Sequence, residues 1–254
     1  VVAKDLGVPD SLKFDRQGRI VTTQVASGQV LRIDPRTGAR EVLADIGPGL
    51  DNVTFVGDRI FVSHITGSVH EILEPGKVRA LVDKGLQWPM GLALSGDGTL
   101  YVADGGFSYG LFPDGRFELL GMLFTPGTPG FTRGVTAGGA GEWIVTNANG
   151  EVVRWRPAEQ AHDVLVSGRD RLMGVCTAGA AVVFAEFGTG KVLSHEGATL
   201  TELATGLDQP MGVAAADGAV FVSEAGAGRV VKIAGGRIET VLDGLGRPEG
   251  VAIR

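Results

Sequence analysis

Apolar residues in this chain come in short alternating stretches broken by glycine-containing turns, and the pattern repeats. Leu100-Tyr101-Val102-Ala103 follows the turn Asp97-Gly98-Thr99, just as Val220-Phe221-Val222 follows Asp217-Gly218. A Gly-rich turn comes next, then a third stretch such as Val230-Val231-Lys232-Ile233, another turn at Gly235-Gly236, and a fourth stretch from Ile238 to Leu242. Alternation over a few residues between turn signals predicts strands. No segment carries the 3.6-residue period of an amphipathic helix. Ahead of each group stands a shared segment. Gly206-Leu207-Asp208-Gln209-Pro210-Met211-Gly212-Val213-Ala214 reappears at 85–93 and at 244–252, with looser copies at 8–12, 49–53, 132–135 and 172–175. The central residue of Pro-x-Gly, termed the marker below, falls at 10, 51, 90, 133, 173, 211 and 249, at intervals of 38 to 43 residues.

Four short strands per repeat of roughly 40 residues is the signature of a β-propeller blade. The expected fold is all-β, one β-propeller domain over residues 1–254, with six complete four-stranded repeats plus a partial seventh blade. The chain opens on an outer-type strand at 1–6 and closes just after a seventh inner strand at 249–253, and a closed six-bladed propeller is the alternative. Forty-one of the 254 residues are glycine, more than twice the usual ~7%, as tight turns and crowded inner strands require.

Composition then excludes several classes. With 44% hydrophobic residues and a mean hydropathy of +0.18, the chain is not of the disordered type. A net charge of −6 speaks against a nucleic-acid binder. No apolar run approaches the ~20 residues of a membrane-spanning helix. The single Cys176 rules out an internal disulfide and a cysteine-based zinc site. Ends that fall within a blade, and a first residue that is not Met, lead us to expect a part of a larger chain; nothing assigns a compartment.

In a four-stranded blade, the loop leading into the inner strand and the loop after the second strand open on one face, so repeat-equivalent residues form two rings there. The first ring is the markers Asp10, Asp51, Met90, Arg133, Met173, Met211 and Glu249. The second is Gln24, His64, Asp104, Asn147, Glu186 and Glu224. Three of the four methionines occupy the marker position, which predicts an adaptable apolar wall opposite the carboxylates Glu249, Asp10 and Asp51. Like charges drawn together call for a cation, and oxygen ligands suit Ca²⁺ or Mg²⁺; an acidic rim open to solvent is the competing account. For Asp104, Glu186 and Glu224 the structural reading is a cap on the following turn. The segment Phe124-Thr125-Pro126-Gly127-Thr128-Pro129-Gly130-Phe131 reads as a partial lid or a plain surface turn, with Phe107 and Tyr109 bordering the same region.

The unit Pro-Met-Gly-Leu-Ala-Leu-Ser-Gly-Asp-Gly-Thr-Leu-Tyr-Val-Ala-Asp at 89–104 resembles the NHL-repeat propellers, and is equally similar to streptogramin lyase and to the regucalcin/gluconolactonase group. That resemblance implies a small-molecule site at one end of a central channel. It implies a divalent metal held by Glu, Asn and Asp in the lactonase group, and a His and a Glu acting with magnesium in streptogramin lyase. Here Met90, Met173 and Met211 stand where the lactonases would place further ligands, so their full shell is not reproduced.

Two functions are expected on these grounds. The first is an enzyme for metal-assisted C–O cleavage of a lactone or ester, hydrolase or lyase. Glu249, Asp10, Asp51 and Asn52 would hold the cation and His64 would act as general base. Met90, Arg133, Met173, Met211, Gln24, Asn147 and Asp104 would contact the substrate. The alternative is a non-catalytic ligand- or protein-binding propeller domain of a larger protein.

Overall fold

The computed structural model describes residues 3, 6, 8–87, 89–123 and 125–253, the side chains of Val56 and Met90 apart. The outer-type strand expected at 1–6 thus lies largely outside the described residues. Six four-stranded antiparallel sheets form, each built from consecutive strands. Their inner strands are Pro9–Phe14, Leu50–Val56, Pro89–Leu94, Thr132–Ala137, Leu172–Ala178 and Pro210–Ala216. Their second strands are Ile20–Gln24, Arg59–His64, Leu100–Asp104, Trp143–Asn147, Ala181–Glu186 and Ala219–Glu224. Among the described residues the only helical element is the 3₁₀ turn Pro157–Glu159. The architecture is an all-β six-bladed propeller.

Among the described residues no partial seventh blade is seen. Residues 243–253 repeat the template of 206–214 yet hold no strand. The backbone at 249–251 does run beside the inner strand of the sixth sheet: a Cβ on Gly212 would stand 2.7 Å from the Glu249 carbonyl oxygen and 3.0 Å from the Val251 nitrogen. A lone strand segment has no ladder to complete, and sheets need neighbouring strands to be stable.

The chain forms two compact units, one holding residues up to 94 with 100–105, the other 95–99 and 106–253. In the first, Val21, Val30, Leu43 and Ala44 of the first sheet pack on Leu50, Val53, Ile60, Val62 and Ile72 of the second. In the second, Val183, Ala185, Val192 and Ala204 of the fifth sheet meet Val213, Val220, Val222, Val231 and Ile233 of the sixth. Alternation along each strand supplies two apolar faces, one for each neighbouring sheet. The turn before the third strand needs glycine twice over in the second, fourth and fifth sheets. Gly67, Gly150 and Gly190 have φ of +101°, +75° and +67°, and a Cβ on them would lie 2.0 to 2.3 Å from the carbonyl oxygen of Leu86, Arg169 or Leu207. Those three residues return the contact by donating their amide to the glycine carbonyl at 3.0 to 3.3 Å.

Candidate functional site

Each inner strand carries a register shift at its marker: between Pro9 and Leu12, Leu50 and Val53, Thr132 and Gly134, Leu172 and Val175, Pro210 and Val213, and opposite Ala103/Asp104 in the third sheet. The bulge re-aims the marker side chain and leaves an amide without a ladder partner. A hydroxyl on the second strand answers it. Thr23, Ser63, Thr146 and Ser223 accept from the amides of Ser11, Asn52, Gly134 and Gly212 at 2.9 to 3.1 Å. Thr23, Thr146 and Ser223 then donate to the carbonyls of the next markers, Asp51, Met173 and Glu249, at 2.5 to 3.0 Å. The glycine of Pro-x-Gly follows from the same closeness, since a Cβ on Gly134 or Gly174 would lie 2.4 or 2.6 Å from the Met173 or Met211 carbonyl oxygen. Sequence reading had passed over these hydroxyls; four of six repeats carry Ser or Thr just before the second-ring residue, and that is a visible signal.

The second ring is buried and committed to the backbone. Asp104 accepts from the Gln87 amide at 2.8 Å, Glu186 from the Asp170 amide at 2.9 Å, and Glu224 from the Asp208 amide at 2.8 Å. In each case the donor sits three residues before the marker, so the carboxylate pins the loop that leads into its own inner strand. Glu224 also takes the Arg229 guanidinium at 2.5 Å, which raises the arginine above its ordinary value. Asn147 spends its amide on the Pro129 carbonyl, the Glu151 carboxylate, and the amides of Asn149 and Glu151. Gln24 donates to the Thr23 carbonyl, while its buried Oε1 has no hydrogen-bond partner among the described residues.

His64 departs from this pattern for a structural reason. Three residues before its marker stands Pro48, which has no N–H to donate. A buried carboxylate at 64 would lack the donor that Asp104, Glu186 and Glu224 enjoy. His64, 7% exposed, turns instead to its own loop, where Nδ1 lies 3.2 Å from the Thr66 amide and 2.7 Å from Thr66 Oγ1. A backbone N–H can only donate, so the proton of neutral His64 sits on Nε2.

The described first-ring side chains are less buried than the second ring. Asp10, Asp51, Met173, Met211 and Glu249 are half-buried and Arg133 is exposed; the Met90 side chain lies outside the description. Met173 packs against the core between the fifth and sixth sheets, and its Sδ lies 4.0 Å from Arg133 Nη1. Glu249 is taken up by Arg247, whose Nε lies 3.0 Å from Oε1. Among the described residues no three His, Cys, Asp or Glu side chains group together as metal ligands. The Asn52 backbone amide donates to Ser63 Oγ. No step is routed through Ca²⁺ or Mg²⁺ here.

The 124–131 connection, whose Phe124 lies outside the described residues, is anchored rather than free. Thr128 Oγ1 donates to the Met122 and Thr125 carbonyls, and Asn147 holds the Pro129 carbonyl. Phe107, Tyr109 and Phe117 stack in series on the third sheet, with centroids 6.4 and 5.2 Å apart.

No protein-family model matches the sequence, and no curated protein matches it. Solved structures do. A streptogramin B lyase superposes with a TM-score of 0.78 at 15% identity, over 96% of this chain and 86% of that one. A catalytically inactive His-to-Ala variant of virginiamycin B lyase from Staphylococcus aureus, with quinupristin, gives 0.80 at 16%, over 96% and 88%. A chain of the nidogen/laminin complex gives 0.70 at 15%, over 89% and 95%. The fold is thus that of the streptogramin lyase and NHL-type propellers, as the repeat resembles. In all, 1096 solved chains match, so the fold by itself selects no activity. Among the described residues no helix is long and apolar enough to cross a membrane.

Proposed function

We propose that this propeller binds a small molecule at the marker end of its sheets, and that C–O cleavage of a lactone or related ester is its reaction. One observation carries the reading. The second ring is spent on holding loops, whereas the first ring leaves its side chains accessible, and in the second unit these are a guanidinium beside thioethers. Thioethers accommodate an irregular apolar body. Ring opening by water or by elimination frees a carboxylate in either case, and a fixed cation favours the charge as it develops.

The two chemistries differ in mass. Hydrolysis adds one water across the acyl C–O bond. Elimination takes a proton from the carbon next to the one bearing the ester oxygen, breaks that alkyl C–O bond, and leaves an alkene and a carboxylate at unchanged mass. Incubating the protein with a panel of small lactones and cyclic depsipeptides, followed by mass spectrometry and ultraviolet absorbance, separates them: a gain of 18 mass units against a new unsaturation. Intact panel members after prolonged incubation with stoichiometric protein would sink the catalytic half of the reading. Calorimetry with Ca²⁺, Mg²⁺ and Mn²⁺ decides separately whether a cation takes part. A protein-contact role is favoured by one feature, the outer strand Arg237–Leu242, which is exposed along its whole length with Ile238, Val241 and Leu242 40 to 46% accessible.

A further inference from the structure

Three arginines stand at or beside marker positions in the second unit, and they are not equivalent. Arg171, two residues before Met173, lies 3.5 Å from the Asp170 carboxylate and over the Phe187 ring. Arg247, two residues before Glu249, is held by that carboxylate at 3.0 Å and by Gln209 Oε1 at 3.1 Å. Arg133 is itself a marker, is exposed, and has no carboxylate within ion-pair distance among the described residues. Its one side-chain contact of this kind is Met173 Sδ at 4.0 Å, a weak acceptor that satisfies little of a five-donor guanidinium. Of the three arginines it is the one at the marker position itself and the one that no carboxylate holds among the described residues. Beside it the markers continue in order, Met173 and then Met211, whose carbonyl lies against Gly174. The bulge and the hydroxyl bond to the Met173 carbonyl fix where these side chains start.

We propose that Arg133, Met173 and Met211 form a receptor for an amphipathic monocarboxylate, the guanidinium taking the carboxylate in a two-point hydrogen bond and the thioethers taking the apolar body. Planar guanidinium matches carboxylate geometry where an ammonium does not. The inference rests on the small-molecule reading above and names its ligand class: the charged, ring-opened form is held in preference to the neutral one.

Calorimetry of the full chain with octanoate and its uncharged isostere octanamide tests this. Octanoate is expected to bind at least tenfold more tightly than octanamide, and the difference should shrink as salt rises. Arg133→Gln should abolish that preference without moving the melting temperature, Arg133→Lys should restore part of it, and Arg171→Gln, whose charge is already paired, should change nothing. Equal affinity for acid and amide, wild-type octanoate binding by Arg133→Gln, or no octanoate binding at millimolar concentration would each overturn the receptor. Turnover of the lactone panel is measured independently, so a protein that opens lactones yet ignores octanoate would refute this inference and leave the catalytic reading standing.

Discussion

A single methylene matters at the marker glycines. Gly174→Ala would push a Cβ to 2.6 Å from the Met211 carbonyl oxygen, a backbone atom that cannot swing aside. The expected cost is about 1–3 kcal/mol, as for overpacking elsewhere, read as a lowered melting temperature. Gly96→Ala, whose Cβ would find its nearest neighbour at 3.8 Å, is the matched control and should be silent. Cys176 offers a second test at this scale. Burial pushes its thiol up to about 11, so at pH 8 only roughly a thousandth is thiolate. Alkylation by iodoacetamide should be slower in the folded chain than in urea, and comparable rates would contradict the half-buried placement. Met211→Ala should weaken ligand binding more than folding, because the side chain is half-buried at the strand's open end; a large drop in melting temperature with unchanged affinity would show the reverse.

At the scale of the blade, the exchange between positions 48 and 64 is the informative one. His64→Glu places a buried carboxylate opposite a proline that cannot donate, at an expected cost of about 1–3 kcal/mol. Adding Pro48→Ala supplies the missing N–H, and the double variant should recover most of the loss. Additive effects in that cycle would show that the two positions do not communicate. The repeat was legible because Pro-x-Gly is demanded by backbone geometry that recurs in every sheet, and the strands and their turns followed from it. The site was less so. A carboxylate ending a second strand reads the same whether it faces a ligand or caps an amide, and only the burial of Glu186 and Glu224 separates the two. His64 stands out in the sequence because it breaks a pattern, and Pro48, sixteen residues away, accounts for the break in structural terms. Residues 244–252 match the template of a strand that forms elsewhere, but ladder partners, not the segment's own sequence, decide whether a strand results.

For the molecule as a whole, acid is the condition that probes its ion pairs. Glu71, 3% exposed, lies between Arg59 at 2.6 Å and Arg79, and the Arg59 hydrogen bond holds its carboxyl below the usual glutamate value. A lowered folded value means that the pair stabilises above the unfolded value of about 4.3 and ceases to do so as pH falls through the folded one. The melting-temperature gap between wild type and Glu71→Gln should therefore be widest above about pH 5 and narrow as pH falls; a gap that is independent of pH would refute the assignment. The marker bulge has a different reach. At Asp51, Met173 and Glu249 the neighbouring sheet grips the carbonyl, so the backbone is held whatever side chain the position bears. At these three markers the hold on the backbone is thereby separate from the chemistry of the side chain. A library varied at Met173 would sample new ligands on a backbone that Thr146 continues to hold.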